Sequence, residues 1–137
     1  MYNDNYETCS RTYVTLQIYC DEIEPKKLTE FLGLAPSETQ TKGEKHKLFK
    51  NKKIKYNGWF LSTKAELDSK DCRRHIDFLA DQLLPIKSKL KTLIDEGSRI
   101  DISCYWESSS GHGGPTLSNQ QLAKLTELGL DFWFDIY

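Results

Sequence analysis

The chain has 137 residues, of which 28% are charged and 38% hydrophobic, and its formal net charge is -1. This length fits one domain with a real core, and no apolar run approaches the roughly 20 residues that a membrane-spanning helix needs. The first residues contain neither the basic nor the apolar stretch of a secretory signal peptide. We therefore expect a soluble, cytoplasmic protein with a single domain over residues 1–137, in which residues 1–10 are flexible.

The first half of the chain predicts a strand, a helix and a second strand. Residues 11–20 alternate apolar side chains with aromatic or polar ones, as in a half-buried strand. Pro25 suits the first turn of a helix, and Gly33 suits its end. Residues 36–57 are polar and Lys-rich, which favours a long loop, and residues 58–63 predict a short second strand.

Positive charge is concentrated in the segment between these two strands. Residues 42–55 hold seven Lys and one Glu, a net charge of +6, so the other residues together carry -7. Lysines can bind phosphates as point charges. A solvated charged loop is the commoner origin of such a run, and the segment has no Arg for bidentate recognition. We interpret residues 42–57 as a Lys-rich loop or excursion.

The middle of the chain predicts an interrupted helix and a third strand. Apolar residues recur at helical spacing over residues 71–84, Pro85 interrupts the helix, and the pattern continues to Gly97. Residues 99–106 again alternate and predict a strand.

The last helix and strand complete the order β-α-β-α-β-α-β. Ser118 and Gln121 have capping-box spacing at the start of a helix, and Gly129 ends it before a strand over residues 130–137. We predict an α+β fold, a four-stranded sheet with helices packed on one face. In both outer parts of the chain, the predicted helix ends in the sequence Leu-Gly-Leu. This pattern fits a duplicated βαβ unit and equally fits two ordinary Gly-capped helices.

The last predicted strand has two contrasting faces, because side chains alternate across a strand. One parity is apolar and is expected in the core: Leu130, Phe132, Phe134 and Ile136. The other mixes rings with carboxylates: Asp131, Trp133, Asp135 and Tyr137. A solvated face rarely carries a Trp and a Tyr, and a buried one could not hold two Asp. This parity therefore indicates a face used for contact.

Similar side chains on the other strands are expected to join this face. The predicted partner-binding residues are Tyr13, Tyr19, Asp101, Tyr105, Asp131, Trp133, Asp135 and Tyr137. Tyr and Trp are enriched at interfaces, whereas the carboxylates would repel phosphates. We expect a protein partner with a basic surface, or a homodimer, rather than nucleic acid. The alternative is purely structural, since aromatic cross-strand pairs also stabilise a wet sheet face that has no ligand.

A glycine-rich loop is the candidate for a small anion. Gly111, His112, Gly113 and Gly114 supply flexible backbone amides ahead of the predicted Ser118 helix. They match neither of the common phosphate-binding motifs. The alternative is a mobile connection between a strand and a helix.

No pattern indicates catalysis or a metal. Cys72 and His75 are three apart on a predicted helix, but no second ligand pair has matching spacing. We interpret them as a core Cys and a surface His. The four cysteines include no CxxC pair and are interpreted as reduced core thiols. We expect a non-enzymatic protein with no cofactor and no metal.

Short motifs follow one another over residues 11–137. They are Glu24-Pro25, Leu32-Gly33-Leu34-Ala35-Pro36-Ser37, Lys42-Gly43-Glu44, Gly58-Trp59, Gly113-Gly114, Leu117-Ser118, Leu128-Gly129-Leu130 and Asp135-Ile136-Tyr137. In this order they resemble a bacterial family known only as domain of unknown function 4279, although the Lys-rich segment after Glu44 is longer here. The resemblance implies no catalytic residues, and small stand-alone members look like immunity proteins that neutralise a bacterial toxin by binding it. We expect that role, with a small-molecule or anion-binding regulatory domain as the alternative.

Overall fold

The computed structural model describes residues 1–137 as one mixed sheet and three helical segments, the second of which contains two helices. The strands are β1 (Cys9–Cys20), β2 (Glu38–Gln40), β3 (Asn57–Ser62), β4 (Arg99–Ser108) and β5 (Asp131–Ile136). The helices are α1 (Pro25–Leu32), α2 (Cys72–Leu83), α3 (Lys87–Asp95) and α4 (Asn119–Leu128), with a 3-10 turn over Leu84–Ile86 that joins α2 to α3. The predicted α+β class is confirmed. The prediction of four strands is wrong, since the sheet has five, and the element order differs accordingly.

The additional strand, β2, lies within the predicted loop over residues 36–57. The sheet order is β2-β3-β1-β4-β5, and all neighbours are antiparallel except β4 and β5. β2 pairs with β3 next to Gly58, where an added Cβ would lie 2.7 Å from the Cγ of Gln40. A larger residue at position 58 would require the side chains of Gln40 and Phe60 to shift.

The Lys-rich segment is a hairpin-like excursion between β2 and β3. The Gly43 N–H donates to the Ile54 carbonyl at 2.8 Å, and Lys45 and Lys53 form an isolated bridge. Two of its lysines, Lys42 and Lys47, form exposed ion pairs with carboxylates of the same chain. Its backbone groups are thus partly paired within the segment.

One hydrophobic core lies between the sheet and the helices. Val14, Leu16 and Ile18 are fully buried and alternate with half-buried residues along β1. They belong to one cluster with the inner leucines of all four helices: Leu28, Leu32, Leu79, Leu83, Leu90, Leu93, Leu125 and Leu128. Since a single cluster joins one parity of the sheet to every helix, the other face of the sheet carries no helix.

The two Gly-capped helices end alike but lead to different strand arrangements. Gly33 and Gly129 both adopt left-handed conformations, with φ of 71° and 69°. After α4, β5 pairs directly with β4 in parallel. After α1, β2 runs in the direction of β1 but is separated from it by β3. The two halves therefore share the helix and its cap, not the strand pairing of a repeated βαβ unit.

The apolar parity of β5 is not a core face along its whole length. Leu130 is buried and Phe132 is half-buried, but Phe134 and Ile136 are 38% and 52% exposed. β5 is an edge strand, and α4 packs against α2. The expectation that all four residues lie in the core is wrong for Phe134 and Ile136, because no helix covers this end of the edge.

His75 is buried, not on the surface as the sequence suggested. Its Nε2 lies 2.7 Å from the Ser69 carbonyl, which can only accept, so Nε2 carries the proton. Nδ1 then accepts from the Thr63 hydroxyl at 2.6 Å. Burial lowers the pKa of His75 below its usual value of 6.5. The imidazole is therefore neutral in the folded protein at neutral pH.

Acidification should destabilise the protein through His75. In the unfolded chain the imidazole takes up a proton near pH 6.5, whereas the folded state resists protonation. The stabilisation is complete above that pH and is lost below it, by at most about 1.4 kcal/mol per pH unit. Urea unfolding at several pH values from about 7.5 to about 5 measures this slope. His75→Gln should flatten the slope and His112→Gln, at an exposed histidine, should keep it; equal slopes for both variants would contradict the assignment.

Asn3 and Asp4 contact the N-terminal end of α2, whereas residues 6–8 contact the segment after β4. The Asn3 N–H donates to Asp71 at 2.7 Å, and Asp4 pairs with Arg74 at 2.8 Å. These contacts give the segment a defined position. The flexibility predicted for residues 1–10 concerns motion and stays a prediction.

Candidate functional site

The eight predicted partner-binding residues all lie on the sheet face opposite the helices, which we call the open face. Paired residues of neighbouring strands share a face, and the register pairs Tyr13 with Tyr105, Asp101 with Asp131, and Tyr105 with Asp135. Tyr19, Trp133 and Tyr137 have the same parities on their strands. The structure therefore brings together residues that are up to 124 positions apart in the sequence, from Tyr13 to Tyr137.

A row of aromatic rings crosses β1, β4 and β5 on the open face. The rings of Tyr13 and Tyr105 stack with centroids 4.8 Å apart and an interplanar angle of 9°. Tyr105 contacts the ring of Tyr137 at 5.1 Å. Trp133 is 44% exposed and donates its Nε1–H to Asp101 at 3.0 Å. These contacts hold the rings in fixed orientations while leaving much of their surface accessible.

The three predicted aspartates of the open face have no ion-pair partner. Asp101, Asp131 and Asp135 form no ion pair, although nine ion pairs occur elsewhere in the protein. Burial raises the pKa of Tyr19, and the charge of Asp101 raises it further. Its hydroxyl is thus neutral at physiological pH. The charges of these three aspartates are thus not neutralised by an ion pair.

Three cations also lie on the open face, beside β1 and at the start of β4, and they were not among the predicted site residues. The Arg11 guanidinium and the Lys64 ammonium lie 5.5 Å and 5.3 Å from the ring centroid of Tyr13. Arg99 lies 5.4 Å from that of Tyr19. These distances are those of cation–π contacts. Arg11 and Arg99 have outward parity on predicted strands, so the same alternation that selected the tyrosines could have found them.

A groove runs along β1 and β3 on the open face. Its volume is about 830 Å³, and its lining combines the rings of Tyr13, Tyr19 and Phe60 with two cations and two carboxylates, Arg11, Lys64, Glu38 and Glu66. The open face thus consists of an aromatic groove with charges of both signs beside a flatter surface with rings and carboxylates.

The glycine loop lies apart from the open face, between β4 and α4. Gly113 has φ of 83°, and an added Cβ would lie 2.4 Å from the side chain of Thr8. The Tyr6 hydroxyl donates to the Gly114 carbonyl at 2.7 Å. The contact with Thr8 explains Gly113 by chain packing.

The hydrogen bonds of the glycine loop and those of the Lys-rich segment go to different parts of the chain. The loop bonds residues 6–8, whereas Lys42 and Lys47 bond Asp21 and Glu38. The anion site predicted at Gly111, His112, Gly113 and Gly114 stays a prediction, and no contact supplies it with a lysine. The side chains include no group of three or more His, Cys, Asp or Glu placed to hold a metal ion.

A family model described as a domain of unknown function (DUF4279) matches residues 10–137. The chain belongs to this family. The resemblance that the short motifs suggested is thereby confirmed over nearly the whole chain. No curated protein and no solved structure matches the chain. None of the helices in this DUF4279 domain has the length and apolar content needed to cross a bilayer.

Most of the motifs that suggested DUF4279 have structural roles in this domain. Gly33 ends α1, Trp59 donates its Nε1–H to Thr29 in the core, and Ser118 caps α4. The final motif differs, because its Asp135 and Tyr137 lie on the open face. The motifs of the DUF4279 domain thus account for its fold better than for a reaction.

Proposed function

We propose that this DUF4279 domain is a non-enzymatic, cytoplasmic protein-binding domain that neutralises a cognate bacterial toxin. The open face binds the toxin, and the β4–β5 side meets a basic surface on it. The observation that carries the proposal is the pairing of exposed aromatic rings with three aspartates that have no cationic partner.

The charges favour a basic partner. Uncompensated carboxylates on one surface raise the encounter rate with a positively charged molecule and disfavour a negatively charged one. Toxins that act on nucleic acids need basic clefts to hold phosphates. A surface that carries Asp101, Asp131 and Asp135 can occupy such a cleft in place of the nucleic acid.

The rings supply the binding energy. Partly exposed Trp and Tyr side chains bury large rigid areas on association and lose little conformational entropy. Trp133 is oriented by its hydrogen bond to Asp101, and Tyr105 is held between Tyr13 and Tyr137. The binding surface is therefore formed before the partner arrives, which reduces the ordering cost of binding.

Removing the Trp133 ring should weaken toxin binding by about 2 kcal/mol or more, roughly a 30-fold rise in Kd. The test uses a toxin whose gene is found to neighbour that of this chain, with Kd from calorimetry and growth of cells that express both proteins. Trp133→Ala should bind weakly and protect poorly while the domain remains folded.

Phe31→Ala is the matched control for Trp133→Ala. Phe31 is an aromatic residue of α1 with 40% exposure, close to the 44% of Trp133, and it lies on the helix side. It should bind and protect as the wild type does. Full affinity of Trp133→Ala would exclude the open face as the binding site, and growth inhibition in the presence of the wild-type chain would exclude the immunity function.

A further inference from the structure

The outer edge of β5 exposes backbone groups that no strand of this chain pairs. The Tyr137 N–H donates to the Trp106 carbonyl at 3.0 Å, and the Tyr137 carbonyl accepts from the Ser108 N–H at 2.9 Å. Tyr137 therefore directs both backbone groups toward β4. Since backbone direction alternates along a strand, residues 132, 134 and 136 direct theirs away from β4, into the open edge.

The same three residues carry apolar side chains. Phe132, Phe134 and Ile136 pair in register with Ile102, Cys104 and Trp106, which are buried on the helix side. At the edge the helix side is uncovered, and Phe134 and Ile136 are 38% and 52% exposed. An edge with free backbone groups and apolar side chains is a template for another strand.

We propose that the occupant of this edge is β5 of a second copy of the chain, paired antiparallel across a two-fold axis at Phe134. Such an axis makes the interface isologous, with the same surface on both copies. The two sheets then join into one continuous sheet with both open faces on the same side.

The charges of β5 select this register. The outward backbone groups of residues 132, 134 and 136 on one copy must face the same groups on the other copy. The antiparallel register can therefore shift only in steps of two residues, and each step moves the two-fold axis by one residue. An axis at Trp133 sets Asp131 opposite Asp135 of the second copy, and an axis at Asp135 sets this carboxylate against itself. Like charges directly opposite destabilise a sheet.

An axis at Phe134 avoids both conflicts. Each Asp135 then lies opposite Trp133 of the second copy, and each Asp131 opposite Tyr137. On the helix side, Phe134 meets Phe134 and Phe132 meets Ile136, so every exposed apolar side chain of β5 gains an apolar neighbour. The alternating acids and rings of β5 are thus complementary to those of β5 in a second copy.

The test uses the purified full chain without any partner, so its outcome is independent of toxin binding. At about 100 µM, sedimentation velocity should give twice the 15.9 kDa mass of the chain, falling toward the monomer on dilution. Phe134→Lys and Phe134→Glu should each be monomeric, because each puts two like charges on the axis. An equimolar mixture of the two variants should form a heterodimer.

Ile94→Lys is the control, since Ile94 lies on α3 with 39% exposure and should leave the dimer intact. Circular dichroism establishes that each variant is folded. A monomeric wild type would overturn the proposal, as would a dimeric Phe134→Lys. Failure of the mixed variants to associate would exclude this register, and a monomeric Ile94→Lys would place the interface on the helices.

Discussion

Replacing Asp71 by alanine should lower the free energy of unfolding by about 3–5 kcal/mol. The Asp71 side chain is buried and accepts hydrogen bonds from Arg73 at 2.6 Å and from the Asn3 backbone at 2.7 Å. It also caps α2 through the Arg73 N–H at 3.0 Å. The alanine variant leaves the largely buried Arg73 guanidinium without its partner and removes the N-cap.

The pKa of Asp71 gives the pH range in which this contribution operates. Burial alone would raise it, but the hydrogen bonds from Arg73 and Asn3 outweigh burial and lower it below its usual value of 3.8. The stabilisation is present above pH 3.8 and is lost as the pH falls toward the lower pKa of the folded state.

Urea unfolding of Asp71→Ala and Asp68→Ala at neutral pH measures the effect. Both variants remove one carboxylate, but Asp68 is exposed and forms no ion pair, so its variant should lie within about 0.5 kcal/mol of the wild type. Similar free energies of unfolding for the two variants would show that the Asp71 network contributes nothing specific.

The open face was predictable because its residues follow from two local rules. Alternation along β1, β4 and β5 assigns each residue to one of two faces, and the amphipathic helices must cover the apolar one. The apolar parity of β1 is fully buried, as this argument requires. Pairing the outward tyrosines with the aspartates needed only the further assumption of a single sheet.

Strand order is not contained in these rules, and the errors of the prediction follow from it. β2 has only three residues and no apolar alternation, and its pairing with β3 places Gln40 opposite Gly58. Phe134 has the same parity as half-buried Phe132, yet it is exposed because β5 lies at the edge of the sheet. A parity identifies a face but not whether a neighbour covers it.

Burial of polar residues was missed for a related reason. His75 is buried because Thr63 and Ser69 satisfy both ring nitrogens, and Asp71 because Arg73 and Asn3 do so for its oxygens. Apart from Arg73, these partners are separated from their targets by loops. Helical spacing places His75 on the same face as Cys72, but the polarity of histidine suggested the surface, and only the fold brings its hydrogen-bond partners within reach.

Replacing Trp59 by alanine should lower the free energy of unfolding by about 3–5 kcal/mol. Trp59 is fully buried in β3, pairs with Ile18 of β1, and donates its Nε1–H to the Thr29 hydroxyl of α1 at 3.0 Å. Its removal leaves a cavity between sheet and helix and breaks their hydrogen bond. Thermal and urea unfolding measure the loss.

The adjacent residue, Phe60, supplies the control because it points to the opposite face of the same strand. Phe60 is half-buried, meets the ring of Tyr19 edge-on at 5.5 Å and lines the groove of the open face. Phe60→Ala should cost about 1 kcal/mol, since water already reaches this ring. If it cost as much as Trp59→Ala, the open face would be covered in solution, and a partner could not dock on it without displacing that cover. A clear difference between the two variants is therefore a requirement of the binding proposal as well as of the fold.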